Sequence, residues 1–407
     1  MQQTDRLQIT SVMPYLRRLL IASFALSLTA CSAIGDVKES MSEKIFGKDD
    51  PNPPAVLVDF KPSIDAKVQW NVKIGDTDTY DFSPVVDASS VFAASADGDI
   101  VKVNLATGAQ EWRIKAGEKL SGGVGVGQSS AGQNMVLVGT AQGAVLAYDY
   151  AGKALWKAKL SSEVLSVPRM FDGLVIVRSG DNHIVGLNGN DGSRKWVYQR
   201  ASPSLSLRSS SGLVVDGGAV YAGFAGGKMV ALRADNGNIL WEATVAQPKG
   251  VTEIERIADI TSLPVVDGAL VYAVAYQGKI AAVDRTNGRV VWSRDISSFA
   301  GITTDAGKVF VSHTAGSVYA LDDGGGKTFW RQPGLLNRKL TTPVSLGSII
   351  AVGDFEGYVH FLSREDGAFS ARVKTDDTAV MPQMVAVGTS QLIAQTRDGK
   401  LFSVSIK

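Results

Sequence analysis

The stretch Ser95-Ala-Asp-Gly-Asp-Ile-Val-Lys-Val-Asn-Leu-Ala-Thr-Gly-Ala-Gln-Glu-Trp112 decides the fold. It reads as a turn at Gly98, a short apolar strand, a second turn at Thr107-Gly108, and a further strand that carries Trp112. Glycine at the turns supplies the positive φ that a tight hairpin demands. The pattern returns as Gln277-Gly-Lys-Ile-Ala-Ala-Val-Asp-Arg-Thr-Asn-Gly-Arg-Val-Val-Trp292. Tryptophans stand at Trp70, Trp112, Trp156, Trp196, Trp241, Trp292 and Trp330, with spacings of 42, 44, 40, 45, 51 and 38 residues. Six of the seven follow a glycine by four residues: Gly108, Gly152, Gly192, Gly237, Gly288 and Gly326. Another apolar strand precedes each turn, as in Val91-Phe92-Ala93-Ala94 and Leu270-Val271-Tyr272-Ala273. Each unit is therefore four short strands rich in Val, Ala and aromatics. One such unit cannot bury both of its faces alone. Radial stacking of the units solves this and predicts an all-β fold, a β-propeller of four-stranded antiparallel blades.

The two ends of the chain set the blade number. Units close on tryptophan at 112, 156, 196, 241, 292 and 330, and a seventh runs from Thr341 to about Ala371, with Gly367 kept and Ala371 in the tryptophan position. Beyond it lie only three strand-like stretches, at Met384-Val-Ala-Val, Leu392-Ile-Ala-Gln and Lys400-Leu-Phe-Ser-Val-Ser-Ile. At the other end, Asp65-Ala-Lys-Val-Gln-Trp-Asn-Val-Lys-Ile is a lone outer strand with no unit ahead of it. The fragments complete each other, so the N-terminal strand closes an eighth blade. Residues 66–407 then give about 43 residues per blade, an ordinary propeller period. The seven tryptophans are read as structural, each ring packing between blades while its indole N–H finds a backbone acceptor.

Composition agrees with this and closes off other classes. Among 407 residues there are 43 glycines but only 13 prolines, a turn-rich chain without a collagen period. Hydrophobic residues make up 45% and charged residues 20%, enough to bury a core. Lys and Arg number 41 against 40 Asp and Glu, so a general electrostatic grip on nucleic acid is not expected. A single cysteine excludes intrachain disulfides and any Cys-based zinc cluster.

That cysteine ends an export signal. Arg17 and Arg18 precede the apolar run Leu19 to Ala30, which at 12 residues is too short to span a bilayer. The run closes on Leu28-Thr29-Ala30-Cys31, which resembles a bacterial lipobox, and Met13 opens a more conventional signal than Met1 does. The alternative is an ordinary signal peptide or short anchor helix with Cys31 incidental. The reading adopted is a cleaved signal at 1–30, lipidation at Cys31, a tether over 31–62, and a propeller over 63–407. Val56 to Phe60 is the part of the tether expected to lie down on the body. By resemblance to lipoprotein sorting rules, Ser32 after the cysteine implies anchoring at the periplasmic face of the outer membrane. Removing residues 1–30 takes away three Lys or Arg and one Asp, leaving 38 against 39.

The residues after the tryptophans are Arg113, Lys157, Val197, Glu242, Ser293 and Arg331, never the Asp of a WD40 repeat. The repeat instead resembles that of pyrroloquinoline-quinone dehydrogenases. Together with the lipobox, the eight blades, Ser204-Leu-Ser-Leu-Arg208 and Thr252-Glu-Ile-Glu-Arg256, it is similar to the BamB family of outer-membrane protein assembly lipoproteins. The resemblance implies no enzymatic activity and no cofactor. It implies binding to the periplasmic POTRA domains of BamA within the BAM complex, with unfolded outer-membrane proteins as further partners. It places the BamA contact on Leu205, Leu207, Arg208 and Asp259, and the sequence departs from the family pattern at Thr261, where a second acid is expected.

An enzyme makes demands that the residues do not meet. A quinone dehydrogenase of this repeat type carries adjacent cysteines, an Asp base and calcium ligands, and Cys31 is the only cysteine here. His183, His313 and His360 fall in three different units and do not resemble a convergent cluster. A carbohydrate-binding propeller would need surface aromatics, but the tryptophans are committed to repeat positions. A scaffold asks where the repeat is interrupted. The longest interval, Trp241 to Trp292, has its surplus in 246–264, and the connection one unit earlier, 199–211, is also long and carries Leu205, Leu207 and Arg208. Both join an outer strand to the next inner strand, so they emerge side by side on one face as a protein-binding patch. Two alternatives stay open. Leu205 and Leu207 also fit simple alternation into a buried strand, and Val251, Ile254 and Ile257 fit a short helix packed back on the body.

Overall fold

A computed structural model describes residues 52–407 apart from 202 and 204; the signal segment, Cys31 and the tether up to residue 51 lie outside the described residues. Residues 54–407 form one compact unit. It contains eight four-stranded antiparallel sheets and is an eight-bladed β-propeller. Blade 1 is built from Val85–Asp87, Ser90–Ala94, Asp99–Asn104 and Gln110–Lys115. Blades 2 to 7 follow over 120–159, 169–198, 213–244, 265–294, 301–332 and 344–374. Blade 8 takes Val385–Val387, Gln391–Gln395 and Lys400–Ile406 from the C-terminal end and its outer strand, Ala66–Lys73, from the N-terminal end. That strand runs antiparallel to Lys400–Ile406 from Ala66 opposite Ile406 to Lys73 opposite Lys400.

Burial follows position in the blade. The second strand, such as Ser90–Ala94 or Ile349–Gly353, is buried along its whole length, because both of its faces meet neighbouring blades. Hence these strands read as continuous apolar runs instead of alternating ones. Outer strands are mostly exposed; in Val290–Arg294 only Trp292 is buried.

The tryptophans and glycines of the repeat form one clamp that crosses between blades. Each indole N–H donates to a backbone carbonyl of the next blade: Trp70 to Leu105 at 3.0 Å, Trp112 to Tyr150 at 3.0 Å, Trp156 to Gly189 at 2.8 Å and Trp196 to Ala234 at 3.1 Å. Trp241, Trp292 and Trp330 reach Arg285, Asp323 and Arg364 at 2.9, 2.6 and 2.9 Å. The ring lies on that blade's turn glycine. A Cβ added at Gly237 would stand 2.5 Å from Trp196, and one at Gly367 would stand 2.6 Å from Trp330. The glycine and tryptophan four residues apart in sequence are thus not each other's partners. Each glycine seats the tryptophan of the blade before it.

This geometry explains Ala371. In blade 8 the third and outer strands come from opposite chain ends, so no hairpin turn exists there to receive an indole from blade 7. Instead Ser63 N donates to Ser370 O at 2.9 Å, and Asp65 and Lys407 exchange backbone hydrogen bonds at 3.0 and 2.8 Å. Ala371 packs in the cluster that Ile64 and Ala66 join.

The segment before the first strand runs along blade 7. Ala55 N donates to Leu336 O, Arg338 donates to Ala55 O, and Arg372 donates to Val58 O. Phe60 stacks on Phe369 with ring centres 5.3 Å apart.

Candidate functional site

Strand alternation puts each outer-to-inner connection and each turn between second and third strands on one face of the ring. On that face the two long connections meet. Leu207 N donates to Asp259 Oδ2 at 2.7 Å, and Gly226 N donates to Asp259 Oδ1 at 3.0 Å. Gly226 has φ +72° in the turn of blade 4, a conformation that lets its N–H point toward the neighbouring connection. Asp259 is 4% exposed, so it faces inward and fastens the 205–208 segment from below. Behind it Arg178 is buried, donates to Gly223 O at 2.6 Å, and lies over the Phe224 ring. Burial pushes the Arg178 guanidinium down to about 10, a shift that the negative charge of Asp259 partly offsets.

Leu205 is 43% exposed and Leu207 half-buried. Arg208 makes a two-pronged pair with Glu163, Nε to Oε1 at 3.0 Å and Nη2 to Oε2 at 2.8 Å, and stands over the Tyr80 ring. Its hydrogen bonds to the Glu163 carboxylate raise the Arg208 guanidinium above its ordinary value. Glu163 belongs to the connection one blade earlier and was not singled out from the sequence. Its signal is the separation of 45 residues, about one repeat, which brings equivalent positions of adjacent blades together.

The 246–264 connection contains a single turn and no helix of the kind its spacing allows. Thr252 Oγ1 accepts from Glu255 N at 3.2 Å, while Glu255 Oε2 accepts from Val251 N and Thr252 N at 2.8 and 3.1 Å. This reciprocal box satisfies the turn by itself. Its apolar side divides: Ile257 is buried, whereas Val251 and Ile254 are 97% and 67% exposed. Thr261, at the position where an acid was expected, is buried and donates to Phe299 O at 3.1 Å. It therefore ties in the next connection, whose Phe299 ring is half-exposed. Three successive connections are linked, and together they offer Leu205, Val251, Ile254 and Phe299 to solvent beside the Arg208–Glu163 pair. Exposed apolar groups edged by fixed charges suit protein docking.

Among the described residues no cluster of three or more His, Cys, Asp or Glu is placed to hold a metal. His183, His313 and His360 stand in blades 3, 6 and 7. At His360 both ring nitrogens are used: Arg372 Nε donates to Nδ1 at 3.1 Å, which leaves Nε2–H to donate to Asp354 Oδ2 at 2.9 Å.

Known proteins match this arrangement. The profile of a family described as outer membrane protein assembly factor BamB covers residues 96–332. The outer membrane protein assembly factor BamB of Burkholderia pseudomallei is 39% identical over 382 residues, which span 94% of this chain and 95% of that protein. The crystal structure of BamB from Moraxella catarrhalis superposes with a TM-score of 0.76 at 30% identity, covering 84% of this chain and 100% of that one. A quinohemoprotein alcohol dehydrogenase from Comamonas testosteroni superposes at 0.65 over 86% of this chain and 78% of that one, but at 13% identity the likeness is of fold alone. The chain belongs to the outer membrane protein assembly factor BamB family.

Proposed function

We propose that this chain is a non-enzymatic scaffold of outer-membrane protein assembly, held at the periplasmic face of the outer membrane by lipid on Cys31. It docks the POTRA domains of BamA through the rim formed by 205–208, 251–254 and Phe299. The observation that carries this reading is the linked trio of connections, which presents exposed apolar side chains on a base fastened by Asp259 and Thr261. A pre-formed patch of this kind loses little freedom on binding. Leu205 and Leu207 supply apolar area, Arg208 supplies direction through its fixed guanidinium, and Asp259 acts from behind by holding Leu207. Acyl chains on Cys31 add membrane affinity of about 0.8 kcal/mol per buried CH₂. Photo-crosslinkers placed at positions 205, 251 and 299 are expected to capture BamA in cells, while crosslinkers at positions 239 and 291 on the outer strands are not. Capture of BamA from the outer strands only would overturn the assignment of the face. A Cys31→Ser variant is expected to leave the membrane fraction.

Unfolded outer-membrane proteins are the second class of partner. Ile239, Leu240, Val290, Val291 and Phe329 are exposed on the outer strands of blades 4 to 6, and an outer strand has one unpaired edge. Clients with their extended segments deleted should then bind less; undiminished binding would remove this part of the proposal.

A further inference from the structure

A central cavity of about 710 Å³, lined by connections from around the ring, lies on the face carrying the rim. Much of its wall is apolar, with Phe82, Leu165, Val167, Leu340 and Val380 among the lining residues. Its charges do not balance. Among the described residues that line it, the cations are Arg169, Lys339 and Arg397, and the one acid is Asp81. Asp81 accepts from Ser210 Oγ at 2.9 Å and lies 3.9 Å from Arg397, whose other nitrogen donates to Asp78 O at 2.6 Å. That pair is complete.

Arg169 and Lys339 are left over. Lys339 is exposed and stands over the Phe355 ring, with no carboxylate beside it among the described residues. Arg169 opens the inner strand of blade 3, and among the described residues its guanidinium meets neither a carboxylate nor a hydrogen-bond acceptor. Loss of water around it lowers its pKa, with no opposing charge to offset the shift. A second lining group has the same deficit: Ser262 is 5% exposed, and its hydroxyl has no hydrogen-bond partner. Five N–H donors on a guanidinium and one orphaned hydroxyl call for an acceptor, and the apolar wall calls for an organic body behind it.

We propose that the central cavity binds a carboxylate carried on an apolar body, with Arg169 receiving the charge and the body lying against the Phe82, Leu165 and Val380 wall. A guanidinium matches a carboxylate with two parallel N–H···O bonds, which gives the site its preference for an acid over a neutral amide. Two sources carry this chemistry: the C-terminus of a polypeptide ending in apolar residues, and a free fatty acid. The cavity abuts the docking rim, since Phe299 lines both, but the groups that would receive the charge, Arg169 and Ser262, do not belong to the patch assigned to BamA.

The test is calorimetric titration of the mature chain with Cys31→Ser, which needs no detergent. The probes are the tripeptide Leu-Val-Phe with a free carboxylate, the same tripeptide as its amide, decanoate, and inorganic phosphate. The acid is expected to bind at least tenfold tighter than the amide, and Arg169→Gln is expected to abolish that difference while leaving the amide unchanged. Should Arg169→Gln fail to fold, Arg169→Lys keeps the charge but loses the fork and is expected to reduce the preference by about three- to tenfold. Binding of the peptide acid alone assigns the source to polypeptide C-termini, and binding of decanoate alone assigns it to free amphiphiles. Equal affinity for acid and amide, a preference unmoved in both arginine variants, phosphate binding as tightly as the organic acids, or no heat with any probe would each overturn the proposal. None of these outcomes bears on BamA docking, which is read in a separate assay.

Discussion

Asp259→Ala removes the group on which the candidate docking surface is built, and its effect follows from the geometry. The carboxylate is buried and accepts from Leu207 N at 2.7 Å and Gly226 N at 3.0 Å. Alanine leaves both donors without an acceptor, and each unsatisfied buried donor costs about 1–3 kcal/mol. Leu207 is only half-buried, so the 205–208 segment relieves part of that cost by opening to water. The loss assigned to this segment is therefore about 2–3 kcal/mol in the free energy of local opening, near the lower end of the sum for two donors. At 1.4 kcal/mol per factor of ten this is roughly a 30- to 150-fold faster exchange of the Leu207 amide. Asp259→Asn keeps one carbonyl oxygen and is expected to fall between, at about 5- to 10-fold. Hydrogen exchange read by mass spectrometry over 203–212 measures this directly, with an amide in blade 8 as the internal standard. Exchange at Leu207 unchanged in Asp259→Ala would refute the idea that this carboxylate holds the segment.

Other expectations follow from the same structure. Trp241→Phe deletes the N–H that reaches Arg285 O and should cost about 1–2 kcal/mol. Gly288→Ala forces a side chain into φ +75° with its Cβ 2.9 Å from Trp241, and thermal melts of the double variant should show less than the sum, because both changes break one clamp. Blade 7 should weaken in acid. Burial lowers the His360 pKa below its ordinary 6.5, so the unfolded chain takes up this proton first and stability falls as pH drops below about 6.5. Burial alone would raise the Asp354 carboxyl, but hydrogen bonds from His360, Tyr358 N and Arg338 hold it below the ordinary value, so its contribution is also lost toward lower pH. Melting at pH 7.5 and 5 should show the drop in the wild type and a smaller one in His360→Gln. Finally, Phe60→Ala removes the stack on Phe369 and the face under Arg372, and limited proteolysis should then cut within 54–62 sooner.

The fold was legible because one interaction repeats. A tryptophan and a glycine on the same strand pair are both visible in the chain, although the partners they meet lie one blade away. The missing tryptophan at Ala371 marks the place where chain ends replace a hairpin, so even the gap in the pattern carried information. The site was legible only in outline. Loop length pointed to 199–211 and 246–264, but nothing in the spacing tells whether a carboxylate faces outward or, like Asp259, bonds two neighbouring N–H groups. Arg208 reads as a free cation in the sequence, and its Glu163 partner emerges only when residues one repeat apart are compared. The Thr252–Glu255 box is present in the chain as Thr-x-x-Glu, while the hydrophobic spacing leaves a packed helix open as an alternative. A self-satisfied turn needs no packing partner, which is why Val251 and Ile254 remain in solvent. The charge imbalance of the central cavity has no sequence signature, because its lining comes from many separate connections.

The most direct test of the central claim is the affinity of the mature chain from residue 32 onward for the periplasmic domain of BamA, compared with the Leu207→Asp, Arg208→Ala double variant. The two proteins should melt alike, since Leu207 is half-buried and an exposed pair such as Arg208–Glu163 contributes only about 0–1 kcal/mol. The wild type is expected to bind, and the variant to lose at least tenfold in affinity. Equal binding by two equally stable proteins would contradict it and move the docking surface off this rim.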